Sequence, residues 1–231
     1  MKANLISIEN MNLYLSSYMI GDHADRLLAI AGGPGARMAI ITNALDAFPL
    51  ADQLAFARSQ FDPDEYFSSF GFDPSLVDLR PYAGRQEALR KALLRFKVVW
   101  VLGGNTFILR RAMRESGFDL LVPELLANGV VYAGWSAGAC VAGDSLRAVE
   151  IMDEPTATAP GYLTSETIYD GLNLVPFTIL PHYESDHAEA PLAAKAAAWA
   201  TEQNIPYRVL RDGEVLLVEK GGAPTLLPRV G

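Results

Sequence analysis

The stretch that decides the fold is Val130-Val131-Tyr132-Ala133-Gly134-Trp135-Ser136-Ala137-Gly138-Ala139. It begins with the apolar run Val130 to Ala133, passes through small residues around Ser136, and enters the weakly polar run Cys140 to Gly143. A continuous apolar run without polar alternation is typical of a parallel strand buried on both faces. The stretch therefore predicts a strand, a sharp turn and a helix, with Ser136 on the turn.

The same alternation of short apolar strands and helical patterns extends over most of the chain. Strands are predicted at Met38 to Thr42, Val98 to Leu102, Asn4 to Ser7, Leu76 to Leu79 and Phe177 to Leu180, helices at Gln86 to Phe96 and Asp119 to Asn128, and a terminal hairpin over Tyr207 to Val218 that turns at Asp212-Gly213. Repeated alternation of this kind predicts an α/β fold with a three-layer, doubly wound, mostly parallel sheet. We expect residues 1–231 to form a single domain.

Composition narrows the function classes. The chain of 231 residues carries 19 Lys and Arg against 27 Asp and Glu, a formal net charge of −8. This balance disfavours nucleic acid and anionic membranes as partners, because binding to phosphate needs clustered positive charge. Cys140 is the only cysteine, which excludes an intramolecular disulfide and fits a reducing cytoplasm. We find neither a signal-peptide pattern nor a membrane span and expect a cytoplasmic protein with a small-molecule partner.

Ser136 is a candidate nucleophile. The Gly-x-Ser-x-Gly pattern between a strand and a helix holds the serine on a strained turn that exposes its hydroxyl above the sheet edge. A serine nucleophile needs a base, and His182 directly follows the predicted strand Phe177 to Leu180. His23 and His187 lie in polar surroundings without metal-site spacing, so we predict that both are solvated and assign neither metal nor cofactor.

The base needs a carboxylate that holds its tautomer. Three acids follow the predicted helix after Ser136, namely Glu150, Asp153 and Glu154. Asp153 is favoured because it opens a turn before Pro155 and its short side chain is easily fixed, and Glu154 is the alternative. The segment from Asp153 to Gly171 shows no sustained period and is predicted to be a long loop, a type that is often functional.

Backbone donors for a tetrahedral oxygen are predicted at the end of the strand Val98 to Leu102. There the sequence Gly103-Gly104-Asn105 offers the N–H of Gly104, which can act together with the N–H of Ala137. Asn105 can also cap the helix that follows. Both functions are compatible with one another.

The combination of VLGGNTF, GWSAGA and PHY resembles the peptidase E family of serine peptidases, the aspartyl dipeptidases, with cyanophycinase as a more distant relative. The resemblance implies a fold like that of class I glutamine amidotransferases, a Ser136–His182 pair, an oxyanion hole at Gly104 and Ala137, and a homodimer. An Asp in the loop after Ser145-Leu146-Arg147 matches the family's acid, which brings Asp153 to that place with a gap. Asn105 and Arg147 are the candidate substrate-binding residues.

The sequence departs from the family where an arginine-bearing helix is expected. Residues Ala188 to Ala200 hold only Lys195 as a cation, so we expect at most a weak preference for Asp substrates. Two alternatives stay open: an α/β-hydrolase type of esterase, and a non-catalytic small-molecule binding module on the same fold. A glutamine amidotransferase is disfavoured because the turn carries Ser136 and Cys140 lies one helical turn further along. Small peptides are the expected substrates.

Overall fold

The computed structural model describes residues 11–49, 51, 53 and 61–230. Nine strands occur in this part of the chain, and they form two sheets. The strands are β1 (Leu13–Ser16), β2 (Arg37–Ile41), β3 (Asp73–Val77), β4 (Val98–Val101), β5 (Val131–Trp135), β6 (Thr178–Leu180), β7 (Tyr207–Val209), β8 (Val215–Val218) and β9 (Thr225–Leu227).

Seven α-helices with defined bounds lie between these strands in the described residues. They are α1 (Ala24–Ile30), α2 (Pro63–Ser69), α3 (Gln86–Leu93), α4 (Thr106–Ser116), α5 (Phe118–Ala127), α6 (Ala137–Cys140) and α7 (Ala190–Glu202). None of these helices combines the length and apolar character that crossing a bilayer requires.

The larger sheet has the strand order β3-β2-β4-β5-β1-β8-β9. Its strands run parallel from β3 to β1, whereas β8 and β9 are antiparallel to their neighbours. Alternate side chains enter two cores: Val99 and Val101 pack on the face covered by α3 to α7, while Val98 and Trp100 pack on the face covered by α1 and α2. The predicted α/β architecture with a mostly parallel sheet between two helical layers is confirmed.

Several predicted elements are found within a few residues of their expected bounds. Strands β2, β4 and β5, helices α3 and α5, and the irregular segment from Asp153 to Gly171 correspond to the sequence patterns. The strand predicted at Asn4 to Ser7 lies outside the described residues. Strand β1 was not predicted, although all four of its residues are buried. It lies between β5 and β8 and so occupies the position next to the strand that leads to Ser136.

The predicted hairpin over Tyr207 to Val218 is wrong in its pairing. Strand β7 pairs in parallel with β6 in a separate two-stranded sheet, whereas β8 pairs with β1 and β9. The Asp212-Gly213 turn thus carries the chain from one sheet to the other. The physical reason is that β8 is buried along its whole length and therefore pairs on both sides, between β1 and β9 in the large sheet. The antiparallel C-terminal pair is β8 with β9.

Buried arginines on α4 hold the surrounding segments. Arg110 pairs with Asp119 at 3.0 Å and donates from Nε to the carbonyl oxygen of Asp170 at 2.7 Å. Arg111 donates to the carbonyl oxygens of Ala157 and Glu166, at 3.0 and 3.2 Å. Because these guanidinium groups satisfy backbone carbonyls, they fix the long segment after Asp153 against the helix layer.

Replacing Arg110 tests this arrangement. Arg110→Met leaves the buried Asp119 with Arg114 alone and removes the donor to Asp170, so we expect a loss of about 3 kcal/mol in the free energy of unfolding. Arg114 pairs with the same carboxylate but is half exposed, and Arg114→Met should cost at most about 1 kcal/mol. Urea unfolding measures both. Equal losses in the two variants would contradict the role assigned to Arg110.

Candidate active site

The turn that carries Ser136 is strained in the way the sequence predicts. Ser136 follows β5 and has φ 45° and ψ −114°, a conformation that non-glycine residues rarely adopt. The turn fits under the sheet edge only with glycine at position 138, because a Cβ there would lie 2.3 Å from the carbonyl oxygen of Val101. The strand, the turn and the short helix α6 together present Ser136 to the edge of the sheet.

The backbone N–H groups predicted to bind an oxyanion are available beside Ser136. Gly104 follows β4 with φ 133°, and a Cβ at this position would lie 2.5 Å from the carbonyl oxygen of Ala44. Neither the N–H of Gly104 nor that of Ala137 makes a hydrogen bond to another described residue. Because β4 and β5 are parallel neighbours, their carboxyl ends bring these two donors to the same edge.

His182 reaches the site from the small sheet. It follows β6, has a φ of 62°, and is 1% exposed. Its Nδ1 lies 2.9 Å from Oδ1 of Asp212, which follows β7. Strands β6 and β7 are parallel with Leu180 opposite Val209, so the residues just past both strands meet at one edge.

The hydroxyl of Ser17 ties this pair to the large sheet. Ser17 follows β1, and its Oγ accepts the backbone N–H of His182 at 2.7 Å and donates to Oδ1 of Asp212 at 2.7 Å. Burial favours a higher pKa for the Asp212 carboxyl, but the hydrogen bonds from His182 and Ser17 outweigh it and the pKa is lowered. Asp212 is therefore ionised at neutral pH and favours the Nδ1–H tautomer of His182.

The structure corrects the predicted partner of His182. Asp153 does not hold Nδ1; its Oδ2 accepts the backbone N–H of Thr106 at 2.9 Å, at the start of α4. The Glu154 carboxylate accepts from Thr156 at the surface, and that of Glu150 accepts from the hydroxyl of Tyr169.

Asp212 takes the place predicted for Asp153 because β7 pairs with β6 and not with β8. The sequence predicts Asp212 to be a turn residue, because Asp-Gly is a strong hairpin signal. A polar residue just past a strand parallel to β6 was the signal that could have identified it.

Asp153 nevertheless lies in an unusual environment. Burial raises the pKa of its carboxyl to about 6, although the hydrogen bond from the Thr106 N–H and the attraction of His182 act to lower that pKa. Burial likewise raises the pKa of the Cys140 thiol well above its usual range. Cys140 is therefore a neutral thiol, which is consistent with Ser136 as the candidate nucleophile.

The two residues predicted to bind substrate have other contacts. The side chain of Asn105 caps α4 by accepting from the N–H groups of Phe107 and Ile108, and its Nδ2 donates to the carbonyl oxygen of Glu154. The guanidinium of Arg147 lies over the ring of Tyr169 at 4.9 Å. Neither residue lines the cavity at Ser136, so the structure does not place them at the candidate site.

A cavity of about 400 Å³ opens above Ser136. Its walls are mostly aromatic or aliphatic, and none of the described residues that line it is Lys or Arg. The lining residues are Tyr18, Leu45, Phe48, Gln53, Gly103, Gly104, Trp135, Ser136, His182, His187 and Glu189. Glu189 is the acidic residue among them. The cavity brings the candidate nucleophile Ser136, the candidate base His182 and the donor segment at Gly104 to one space that a small ligand can enter.

The two other histidines differ from each other. Nε2 of His23 contacts the carbonyl oxygen of Pro228 at 2.7 Å, at the surface. His187 was predicted to be solvated, but it is partly buried and stacks on His182 with ring centroids 3.7 Å apart. Burial and the neighbouring His182 lower the pKa of His187. The spacing of His182 and His187 along the chain does not predict this stacking.

A protein-family model covers most of the chain. The model of peptidase family S51 matches residues 61–226, which include Gly104, Ser136, His182 and Asp212. The chain belongs to peptidase family S51. The resemblance to the peptidase E family that the motifs indicate is thereby confirmed.

Curated relatives of this S51 chain match part of its length. An uncharacterized peptidase of Listeria innocua is 39% identical over 87 residues, 38% of this chain and 39% of the relative. A Drosophila melanogaster protein named as an alpha-aspartyl dipeptidase is 31% identical over 156 residues, 65% of this chain and 59% of the relative. The matched stretches thus span between 39% and 59% of these relatives' own length.

Solved structures resemble the S51 chain over nearly its whole length. A Listeria monocytogenes protein named as a peptidase E superposes with a TM-score of 0.72 at 24% identity and covers 96% of this chain and 99% of that one. A peptidase from an acI-B1 Actinobacterium gives a TM-score of 0.58 at 13% identity, with 96% of each chain covered. At these identities the likeness shows that the fold is shared.

The raised pKa of Asp153 predicts a pH-dependent effect on stability. Because the folded-state pKa, about 6, lies above the usual 3.8, ionising Asp153 costs stability; the cost is absent below about pH 4 and complete above pH 6. Asp153→Asn should therefore stabilise the fold at pH 8 by about 1 kcal/mol, with about 3 kcal/mol as the upper bound set by the shift. Glu154→Gln, at the exposed neighbour, should have no such effect. Urea unfolding at pH 4 and pH 8 measures both, and a destabilised Asp153→Asn at pH 8 would contradict the assignment.

Proposed function

We propose that this chain is a serine peptidase that hydrolyses dipeptides or short peptides through an acyl-enzyme. Ser136 is the nucleophile, His182 the general base, and Asp212 the carboxylate that orients His182. The observation that carries the proposal is the convergence of a partly exposed, strained serine, the Gly104 segment with its available N–H group and an Asp-bound histidine on one cavity. Membership of family S51 favours peptidase activity over the esterase and binding-module alternatives.

The proposed reaction follows from the groups present. Nε2 of His182 takes the proton of the Ser136 hydroxyl as Oγ attacks the scissile carbonyl carbon. The oxyanion receives the N–H groups of Gly104 and Ala137, and Asp212 stabilises the imidazolium that forms. His182 then gives its proton to the leaving amine, and a water molecule, activated by the same nitrogen, hydrolyses the acyl-enzyme and restores Ser136.

The electrostatics of the cavity support a neutral or apolar substrate side chain. Burying an aspartyl side chain requires a cation, and none of the described lining residues supplies one. Arg147 and Lys195, the cations considered from the sequence, are exposed and away from the lining. Glu189 instead offers a negative charge near the base, which suits the free amino group of a peptide. The expected homodimer and cytoplasmic location stay predictions.

Substitution of four residues tests the proposed nucleophile and base and shows whether Asp212 or Asp153 is the carboxylate that acts with His182. Ser136→Ala and His182→Ala should each lower kcat by about 10⁴-fold or more, because nucleophile and base act as one unit. Asp212→Asn keeps the shape but removes the charge that holds the Nδ1–H tautomer, and should lower kcat by about 10⁴-fold. Asp153→Asn should lower it less than about tenfold, since its carboxylate contacts Thr106 and not His182.

Thermal unfolding of each variant checks that the fold survives. A large kcat loss in Asp153→Asn, with Asp212→Asn nearly unaffected, would restore Asp153 as the acid. Full activity in Ser136→Ala would end the serine-peptidase proposal.

Substrate selectivity tests the character of the cavity. The ratio of kcat/KM for Asp-Leu over Ala-Leu should lie below about 10, because no described cation is available to pair with an aspartyl group. Asn-Leu serves as the control, since it matches Asp-Leu in shape and lacks the charge. A ratio above about 10³ for Asp-Leu over Asn-Leu, or some 4 kcal/mol of discrimination, would show that a carboxylate-binding pocket exists.

A further inference from the structure

Residues 153–171, the outer segment, lie against the turn that carries Gly104. The carbonyl oxygen of Glu154 accepts a hydrogen bond from Nδ2 of Asn105, the residue directly after Gly104, at 3.1 Å. Buried arginines of α4 donate to carbonyl oxygens along the outer segment and so fix it to the helix layer. The proposed peptidase reaction assigns no step to the outer segment, so catalysis does not yet explain its attachment to this turn.

Tyr162, in the middle of the outer segment, contacts a second element beside Gly104. Its hydroxyl donates to Oδ2 of Asp46 at 2.6 Å, and Asp46 belongs to the 3₁₀ turn Asn43–Ala47 that follows β2. Burial and the hydrogen bond to Asp46 raise the pKa of Tyr162, so its hydroxyl keeps the proton that it donates. The outer segment is thus bound to this 3₁₀ turn through a buried carboxylate.

Asn43 is the centre of the hydrogen bonds within this 3₁₀ turn. It is fully buried, and its Nδ2 donates to Oδ2 of Asp46 at 2.8 Å and to Oδ1 of Asp78 at 2.9 Å. Its Oδ1 accepts the backbone N–H of Leu79 at 2.9 Å. The amide nitrogen and the amide oxygen therefore both have partners, which hold the start of the turn against the chain that follows β3.

Arg80 balances the charge of the two carboxylates. Its guanidinium donates from Nη2 to Oδ2 of Asp78 at 2.8 Å and lies 3.5 Å from Oδ1 of Asp46. Burial acts to raise the pKa of Asp78, but the hydrogen bonds from Arg80 and Asn43 outweigh it and the pKa is lowered, so Asp78 is ionised at neutral pH. The residues joined in this way, the Asn43 cluster, are Asn43, Asp46, Asp78, Arg80 and Tyr162.

Ala44 links the Asn43 cluster to Gly104. Its carbonyl oxygen accepts the backbone N–H of Asn105 at 2.9 Å, and a Cβ at Gly104 would lie 2.5 Å from that same oxygen. The peptide group after Gly104 is therefore held by Ala44, and the φ of 133° at Gly104 then sets the direction of its N–H. A displacement of Ala44 would change that direction.

We propose that the Asn43 cluster positions the N–H of Gly104 for the oxyanion, with Asn43 and Tyr162 as its positioning residues. An oxyanion donor is effective only where it points at the developing charge, and a misplacement of about 1 Å can cost about 10²-fold in rate. No member of the cluster is among the described residues that line the cavity, so the cluster acts through Ala44 and not on the substrate. The proposal rests on the proposed function, because an oxyanion forms only if Ser136 attacks a carbonyl.

Substitution of Tyr162 tests the connection with little disturbance, because Tyr162→Phe removes the hydrogen bond to Asp46 and keeps the ring. We expect kcat for Ala-Leu to fall about tenfold while KM changes less than about twofold, since the donor acts in the transition state. Tyr169→Phe is the matched control. The Tyr169 hydroxyl also belongs to the outer segment and donates to a carboxylate, that of Glu150 at 2.8 Å, which is not a member of the cluster. Its loss should change kcat less than about twofold.

Asn43→Ala removes the hydrogen bonds at the centre of the cluster and should lower kcat about 10²-fold, with KM again nearly unchanged. Thermal unfolding shows whether this variant folds; if it does not, Tyr162→Phe decides alone. A kcat loss in Tyr162→Phe no larger than in Tyr169→Phe would overturn the proposal. A rise in KM without a fall in kcat would also overturn it, since the cluster would then only shape the cavity wall through Leu45 and Phe48.

A measurement that does not depend on activity separates this proposal from the proposed function. The backbone amide NMR resonance of Gly104 in the isotope-labelled chain should shift in Tyr162→Phe and keep its position in Tyr169→Phe, whether or not the chain cleaves peptides. An unshifted resonance in Tyr162→Phe would refute the positioning of Gly104. A shifted resonance in a chain without peptide turnover would support the connection to Gly104 and contradict the proposed function instead.

Discussion

The hydroxyl of Ser17 is the connection on which the candidate site depends. Ser136 belongs to the large sheet, whereas His182 and Asp212 follow the two strands of the small one. Ser17, at the end of β1, accepts from the backbone of His182 and donates to the carboxylate of Asp212. The carbonyl oxygen of the same residue also accepts the N–H of Ser136 at 3.1 Å. One residue therefore contacts the backbone of both Ser136 and His182, and it does so through groups that themselves take no part in the proposed reaction.

The strain at Ser136 is sustained by the packing around it. A backbone conformation of this kind costs on the order of 1–3 kcal/mol and persists only when neighbouring structure enforces it. Here the enforcing contacts are close backbone approaches that only glycine permits, at Gly138 against Val101 and at Gly104 against Ala44. The small residues of the motif are thus required by space as much as by turn geometry. The N–H of Ala137, at the start of helix α6, has no hydrogen-bond partner among the described residues.

Much of this site could be read from the sequence, because it depends on local patterns. Ser136, Gly104 and Ala137 follow strands whose continuous apolar runs identify them, and His182 follows another. The order of elements likewise predicted the layered fold. Asp212 could not be found in this way, since its position beside His182 depends on which sheet β7 joins. By itself, an Asp-Gly pair predicts a hairpin turn. The same limit applies to the stacking of His187 on His182, which is a contact set by tertiary packing.

The distribution of charge around His182 is what the proposed peptide chemistry requires. Asp212 contacts Nδ1 of the imidazole at 2.9 Å, and Oε2 of Glu189 lies 3.9 Å from Nε2. The imidazolium that would form when His182 accepts the proton of Ser136 is therefore attracted by a carboxylate at each of its two nitrogens. The walls formed by Tyr18, Phe48 and Trp135 are apolar, which lowers the local dielectric and strengthens these attractions. None of the described lining residues is Lys or Arg, so the same surroundings that attract positive charge at the base leave the carboxylate of an aspartyl substrate without a partner.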